Sequence, residues 1–439
     1  MKEIYVRDIL NKSQNGDLVY LQGWVKSKRE HGKLAFLDLV DSTGTIQAIA
    51  ESSSMDKAQF DSICATPTES GVTVTGKFQR RPGRDPEIRV EAFEVIGVAT
   101  LHLNPAPRSN FDIFDPAMAD HVLRHRHLYL RNPKIMAILR FRSKVMSIAR
   151  RWFEENDFLE FDAPILTPAP LYDNSTAMDI KVHGQEVYLS QCAGFYLEAA
   201  AHAFERVYNM GPSFRGEESR SKRHLMEYWH IKAEMTFGNR EDIIRLVEEI
   251  LAYITQACLE ECGPELEILG TKLCQDGLRG PFPRISYEEA VGYLKTRGFD
   301  ATFGVGISTA EEEELSKLYD TPFWIVGIPR SVEPFPYVID PDDIRVTMVA
   351  DLIASHGYGE LLGVAEKIYD PLMLNERLTE KGKLNDPRYE FVREVHEAGC
   401  VPHIAFGMGL ERLIRWLLDI PHVRDTIPFP RVVRRNINP

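Results

Sequence analysis

Two segments of the chain combine residue types that handle phosphate. The first runs Phe214-Arg215-Gly216-Glu217 and resumes at His224-Leu225-Met226-Glu227-Tyr228-Trp229. On a strand, Arg215 and Glu217 point to the same face. A guanidinium grips a phosphate through two parallel N–H bonds, and a glutamate accepts from an exocyclic amine. The loop between supplies Arg220, Lys222, Arg223 and His224 for outer phosphates, and Tyr228 offers a ring for stacking a purine. A salt-bridged hairpin would use the same residues. The second segment is Gly407-Met408-Gly409-Leu410-Glu411-Arg412. Glycines that end a strand let a nucleotide approach the backbone, and Arg412 opens a helix. A further segment, DFLEFDAPILTP (157–168), reads as a strand ending in a proline-rich turn.

These segments need a scaffold. DLVYLQGWV, KLAFLDLVD, GTIQAIAE, VTVTGKFQR and EIRVEAFEVIGVA are short strands separated by turn residues. Such a series predicts a small β-barrel, of which the oligonucleotide-binding barrel is one. Pro105, Pro107 and Pro116 mark a linker. Beyond it, Ile138, Phe141, Val145 and Ile148 recur at helical spacing. EDIIRLVEEILAYITQACLEE and LERLIRWLLD predict further helices. RVYNMGPSFRGEE, YWHIKAEMTF, PFWIVGIP, RVTMVADLI, YGELLG and HIAFGMG read as strands. Strands in runs with helices outside them predict an α+β domain on a mainly antiparallel sheet. The expected organisation is a barrel over 1–100, a hinge over 101–132 and a catalytic domain over 133–439.

Composition narrows the function classes. Of 439 residues, 44% are apolar and 27% charged, which excludes a disordered or collagen-like chain. No run of about 18 apolar residues occurs, so no membrane partner is expected. The N-terminus lacks an apolar core with a small-residue cleavage site, so the expected location is cytoplasmic. The net charge of −13 argues against nonspecific coating of DNA but leaves room for a local basic patch. Cys258 and Cys262 have no second close Cys or His pair, so the six cysteines read as free thiols and not as a zinc centre.

FRGE…RHLMEYW followed far downstream by GMGLERL resembles motifs 2 and 3 of the class II aminoacyl-tRNA synthetases, and DFLEFDAPILTP, with Pro164, resembles motif 1. LEAAAHAFERVYNMGPSFRGEE, GPFPRISYEEAVGYL, ADLIASHGYGELLG and VRDTIPFPR are similar to the bacterial asparaginyl-tRNA synthetases. The resemblance covers the whole chain. It implies a class II catalytic domain, an N-terminal anticodon-binding barrel (OB-fold), a homodimer formed through motif 1, and ATP and Mg²⁺ as cofactors.

Carried over residue by residue, the resemblance gives Arg215, Glu217 and Arg412 the catalytic roles. Arg215 would clamp the α-phosphate, and Glu217 would face the adenine or the reacting centre. Arg223 and His224 would hold the outer phosphates, with Leu225 and Gly409 also in the ATP site. Tyr228 would stack on adenine where the family usually has Phe, and Arg412 would lie on its other face. Asp351 and Glu360 would hold Mg²⁺ between phosphates, as carboxylates suit that hard cation.

The implied acyl pocket departs from the family. Gly194 stands where the family has a Gln that helps hold the substrate's α-amino group. Thr176 replaces a Glu, and Gly363-Val364-Ala365-Glu366-Lys367 replaces a Gly-Gly-Ser-Gln-Arg stretch whose Arg reads the substrate side chain. His403-Ile404-Ala405 replaces a His-Gly-Gly or His-Ser-Gly. Arg to Lys loses the bidentate fork. The pocket is therefore expected from Thr176, Gln191, Gly194, Glu366, Lys367 and His403, with Asp173, Asp179 or Glu366 as substitutes for the lost groups. In the barrel, Arg29, Phe36 and Gln47 match anticodon-contacting positions. Phe36 is either a base-stacking ring or a barrel-core aromatic, and Val40 replaces a usual Arg.

The expected activity is ATP-dependent adenylation of a carboxyl or amide group. The leading expectation is a repurposed paralogue acting on a peptide C-terminus or a modified aspartate-like acid. The alternative is a genuine asparagine–tRNA ligase with asparagine and tRNA as partners. A catalytically dead binding protein is disfavoured, because it has no reason to keep Arg215, Glu217, Asp351, Glu360 and Arg412.

Overall fold

The computed structural model describes residues 1–439 except 171–174, 219, 220, 434, 436, 438 and 439, so Asp173 and Arg220 lie outside the described residues. The chain divides into two compact units, Met1–Met136 and Ala137–Pro439.

In the first unit, β1 (Leu18–His31), β2 (Leu34–Val40), β3 (Thr45–Glu51), β4 (Gly71–Gln79) and β5 (Glu87–Gly97) close into a barrel in the order β1-β2-β3-β5-β4. Period-two alternation decides what fills it. Ala35, Leu37 and Leu39 are fully buried, whereas Phe36 and Asp38 between them are half-exposed on the outer face. Closure bends β4 at a register shift beside Gly76. A Cβ there would lie 2.1 Å from the Arg89 carbonyl oxygen, so only glycine fits.

The second unit contains β6 (Leu159–Glu160), β7 (Leu166–Thr167), β8 (Met178–Val182), β9 (Gln185–Leu189), β10 (Arg206–Phe214), β11 (Glu227–Thr236), β12 (Arg284–Ser286), β13 (Phe323–Val326), β14 (Val349–Ala354), β15 (Gly359–Lys367) and β16 (His403–Gly409). Eight of them form one sheet in the order β12-β13-β14-β15-β16-β11-β10-β6. Its inner pairs are antiparallel, and the β12/β13 and β10/β6 pairs at its edges are parallel. The α+β expectation is met.

Helices cover this sheet. The helix Pro133–Glu155 buries Ile138, Phe141, Val145 and Ile148 and stacks Phe153 on Tyr208 of β10, ring centroids 4.1 Å apart. The helix Arg240–Glu261 starts on an Asn239 capping box completed by Asp242. It buries Ile243, Val247, Ile250, Ile254 and Cys258. Two strand expectations need correction. Residues 157–168 form only the two-residue strands β6 and β7, because Pro164 between them has no N–H to donate. The strand read over 345–353 begins at Val349. The β8/β9 hairpin and the helix Gly194–Phe204 were not anticipated.

Candidate active site

The sheet register builds a trough. Asp351 on β14 pairs with Gly363 on β15, Gly363 with Gly407 on β16, and Gly407 with Lys232 on β11. The next row runs Val349, Ala365, Ala405 and Glu234. Small residues on the two middle strands thus leave room between Asp351 and Val349 on one outer strand and Lys232 and Glu234 on the other. A Cβ at Gly363 would meet Asp351 Oδ1 at 2.9 Å, so any side chain there would push the Asp351 carboxylate aside. Above this floor lies a cavity of about 400 Å³. Its lining includes Arg215, Glu217, Arg223, His224, Leu225, Tyr228, Asp351, Glu360, Gly409 and Arg412. The sequence placed every one of these in the nucleotide or metal site.

Local structure aims each group. Arg215 N–H donates to Met226 O at 2.9 Å, one residue beyond the β10/β11 ladder. Arg215 lies 3.8 Å from Glu217 and 5.8 Å over the Tyr228 ring. Tyr228, His230, Lys232 and Glu234 alternate along β11 and share one face. The Tyr228 hydroxyl is buried without a hydrogen-bond partner. Ser221 Oγ lies 2.5 Å from His224 Nδ1, and Arg412 Nη2 lies 3.4 Å from its Nε2. Burial first, then Arg412 and Arg223, push the His224 pKa down to about 3, so this ring is neutral.

The carboxylates divide into two kinds. Burial alone would raise Glu360, but Arg412, Arg223 and Arg215 outweigh it and bring the pKa down to about 2. Arg412 Nη1 contacts Glu360 Oε2 at 3.2 Å. Asp351 is pushed well above the usual carboxylate range by burial and by Glu360, Glu333 and Glu312. A carboxylate crowded by carboxylates in the lining of this cavity is a donor set that fits a hard divalent cation. Asp351 and Glu360 therefore suit Mg²⁺.

The acyl end of the cavity was only partly foreseen. Thr176, Gln191 and Lys367 line it, and Gln191 Nε2 donates to Thr176 Oγ1 at 2.9 Å. Lys367 Nζ reaches Glu198 and lies 3.3 Å from Glu234, all three side chains being buried. Gly194, Glu366 and His403 lie outside the lining. Gly194 is buried at the start of its helix, where its N–H donates to Cys192 Sγ at 3.2 Å. Glu366 is a correction. It points to the opposite face of β15 from Lys367, and its Oε1 accepts from Arg240 N–H at 2.6 Å. His403 sits one layer back, with Nε2 3.4 Å from Glu234 Oε1. Burial would lower its pKa, but Cys400, Glu198 and Glu234 outweigh that and lift it to about 10. Asp179 alternates along the β8/β9 hairpin opposite Tyr188 and does not line the cavity.

Sequence reasoning missed several cavity groups. Lys232 lies in the floor with Nζ 3.3 Å from Cys192 Sγ. The period-two series on β11 was the signal that could have found it, together with Glu234. Glu333 lines the cavity, and burial together with Glu360 raises its pKa to about 7. Glu312 lies behind Arg223. Nothing local in sequence marks either glutamate.

In the barrel unit, Arg29 and Phe36 are register partners on β1 and β2, with the guanidinium 5.1 Å from the ring. Gln47 on β3 donates to Asp38 Oδ1 at 3.3 Å. Phe36 is therefore an outer-face aromatic and not a core one.

Comparisons with known proteins converge. Residues 118–433 match the family described as "tRNA synthetases class II (D, K and N)", and residues 19–96 match "OB-fold nucleic acid binding domain". The chain is 36% identical to the asparagine–tRNA ligase of Pelotomaculum thermopropionicum, covering 99% of each chain. It is 37% identical to that of Desulforamulus reducens, covering 95% of this chain and 96% of the relative. The crystal structure of asparaginyl-tRNA synthetase from Pyrococcus horikoshii complexed with asparaginyl-adenylate superposes with a TM-score of 0.91. That likeness has 33% identity and covers 100% of both chains. Among the described residues, no helix is long and apolar enough to cross a membrane.

Proposed function

The chain belongs to the class II tRNA synthetases of the aspartate, lysine and asparagine group, ATP-dependent ligases, and on that footing we propose that it attaches asparagine to tRNA. The observation that carries this reading is the convergence of Arg215, Glu217, His224, Arg412, Asp351 and Glu360 on one trough, in a chain that is similar over its full length to asparagine–tRNA ligases.

The chemistry follows from the geometry. A substrate carboxylate oxygen attacks the α-phosphorus of ATP, and the bond to pyrophosphate breaks. Arg215 holds the α-phosphate and stabilises the charge that develops there. Neutral His224, Arg223 and Arg412 orient the outer phosphates. Asp351 and Glu360 would hold Mg²⁺, which neutralises phosphate charge. A ribose hydroxyl of tRNA then attacks the acyl carbonyl, and AMP leaves. Most of this work is positioning in a partly enclosed site. The outer face carrying Arg29, Phe36 and Gln47 would receive the anticodon, with Phe36 stacking on a base. A homodimer would cover Leu159, Ile165 and Leu166, large apolar side chains that this protomer leaves exposed.

The expectation of a repurposed paralogue has less support, because two relatives 36–37% identical over 95–99% of this chain are asparagine–tRNA ligases. One observation favours it as a second reading. At the acyl end, position 194 contributes no side chain because Gly194 lies outside the lining, and the buried Lys232 faces Cys192. That surrounding suits an acid without a free α-amino group. ATP–pyrophosphate exchange separates the two. Exchange driven by asparagine supports the first reading. Exchange with neither asparagine nor aspartate, from protein that binds ATP, supports the second.

A further inference from the structure

Behind the acyl end of the trough, three side chains outside the machinery described above converge. Cys400 Sγ lies 3.0 Å from His202 Nε2 and 3.9 Å from His403 Nδ1. One ligand atom from each of the three lies within 4.8 Å of the others. His202 comes from the helix Gly194–Phe204, Cys400 from the loop before β16, and His403 from the first residue of β16. His202 and Cys400 are partly exposed, so solutes can reach them.

The ring nitrogens on the far side are set as metal ligation requires. His202 Nδ1 donates to the Glu198 carbonyl oxygen at 2.7 Å, which leaves Nε2 with its lone pair toward Cys400. His403 Nε2 faces the carboxylates of Glu234 at 3.4 Å and Glu198 at 3.9 Å. A histidine that gives its second N–H to a carbonyl or a carboxylate is the usual supporting arrangement of a metal site. A second observation points the same way. His403 Nε2, Glu198 Oε1 and both carboxylate oxygens of Glu234 are buried without a hydrogen-bond partner. With a proton kept on Nε2 toward Glu234, loss of the His403 Nδ1 proton frees that nitrogen for an ion.

We propose that His202, Cys400 and His403 form a binding site for a soft divalent transition ion such as Zn²⁺, with water as the fourth ligand. In tetrahedral zinc sites, sulfur and nitrogen ligands stand about 3.6 Å apart, and the two observed separations bracket that value. Cys plus two imidazoles favours zinc over Mg²⁺, which prefers oxygen donors. At present His202 Nε2 accepts from Val401 N–H at 3.0 Å, and His403 Nδ1 lies 2.8 Å from Val401 O. The ion displaces both contacts. Binding releases the Cys400 thiol proton and the ring proton that His403 shares with Val401 O, so two protons leave per ion. Glu198, Glu234, His396 and Lys367 face the same cluster. The ion is thereby linked to Lys367 in the acyl pocket through the two glutamates.

The test uses chelator-stripped, full-length protein. Titration with Co²⁺ is expected to give one equivalent per chain with a thiolate-to-cobalt charge-transfer band, which Zn²⁺ displaces. Cys400→Ala and His202→Ala are expected to weaken binding by ~100-fold or more, beyond what loss of a supporting contact does. Zn²⁺ is also expected to slow alkylation of Cys400 in the wild-type chain, read by peptide mass spectrometry, while leaving Cys64 unaffected. That arm does not depend on a variant folding. Absence of the thiolate band, unchanged affinity in both variants, or undiminished alkylation of Cys400 overturns the site.

Discussion

Glu312 takes both terminal nitrogens of Arg223 on its two carboxylate oxygens, 89 residues apart in sequence. The same carboxylate accepts the Glu360 backbone N–H at 2.8 Å. Gly359 has a φ of +73°, and a Cβ there would lie 2.9 Å from Glu312 Oε2 and 3.2 Å from Arg223 Nη1. One buried glutamate therefore orients the arginine proposed to hold phosphate and the backbone of the carboxylate proposed to hold Mg²⁺. Glu312→Gln keeps the shape and removes the charge. Loss of a charge-assisted bond costs about 1.5–3 kcal/mol, or roughly 10- to 100-fold. The expected result is a KM for ATP raised by that factor with the KM for asparagine little changed. Equal effects on both substrates would mean that Glu312 only supports the fold.

Arg142 and Glu411 form a buried pair at 2.6 Å between the helix Pro133–Glu155 and the helix Leu410–Leu417, and Glu411 also accepts Trp229 N–H at 3.0 Å. Breaking such a pair strands a charge and costs about 3–5 kcal/mol. Glu411→Ala is expected to lower stability by that amount in urea unfolding. Arg142→Met combined with Glu411→Met is expected to recover much of the loss. A single variant as stable as the wild type would contradict this.

Tyr228 buries a hydroxyl without a partner. An unmet buried hydroxyl costs about 1–3 kcal/mol. Tyr228→Phe is expected to stabilise the ligand-free protein by about 1 kcal/mol, seen as a raised Tm. If ATP satisfies the hydroxyl, the stabilisation will shrink when ATP is saturating. A variant with a lower Tm in both states would show that the hydroxyl already has a partner.

His403 predicts a pH dependence. Its pKa rises from an ordinary 6.5 to about 10 in the folded protein. The stability it contributes is therefore fully present below about pH 6.5 and is lost as pH rises through about 10. Urea unfolding of chelator-treated protein is expected to show declining stability from pH 7 to 10. His403→Gln should flatten that decline. Parallel curves for the two proteins would remove His403 as the cause.

Much of the site could be read from the sequence because its chemistry lies in short segments. Arg215 with Glu217, His224 with Leu225 and Tyr228, and Gly409 with Arg412 each sit within a few residues, and strand alternation fixes their shared face. Asp351 and Glu360 come from adjacent strands. What escaped was set by distant packing. Glu312 and Glu333 reach the trough from segments with no periodic signal. Glu366 was misplaced by one residue of alternation, which turned it to the other face of β15. Lys367 was foreseen, but not its capture by Glu198 and Glu234, which depends on three separate strands and helices meeting. The barrel was legible from its alternation, whereas β6 and β7 were shortened by a proline whose effect on pairing could be anticipated only in part.

The most direct test of the account is charging of an asparagine tRNA transcript, labelled at its 3′ end, with asparagine, ATP and Mg²⁺. The account predicts asparaginyl-tRNA at catalytic turnover, lost on Arg412→Ala and absent with aspartate. No charging, from protein that binds both ATP and the transcript, would contradict it.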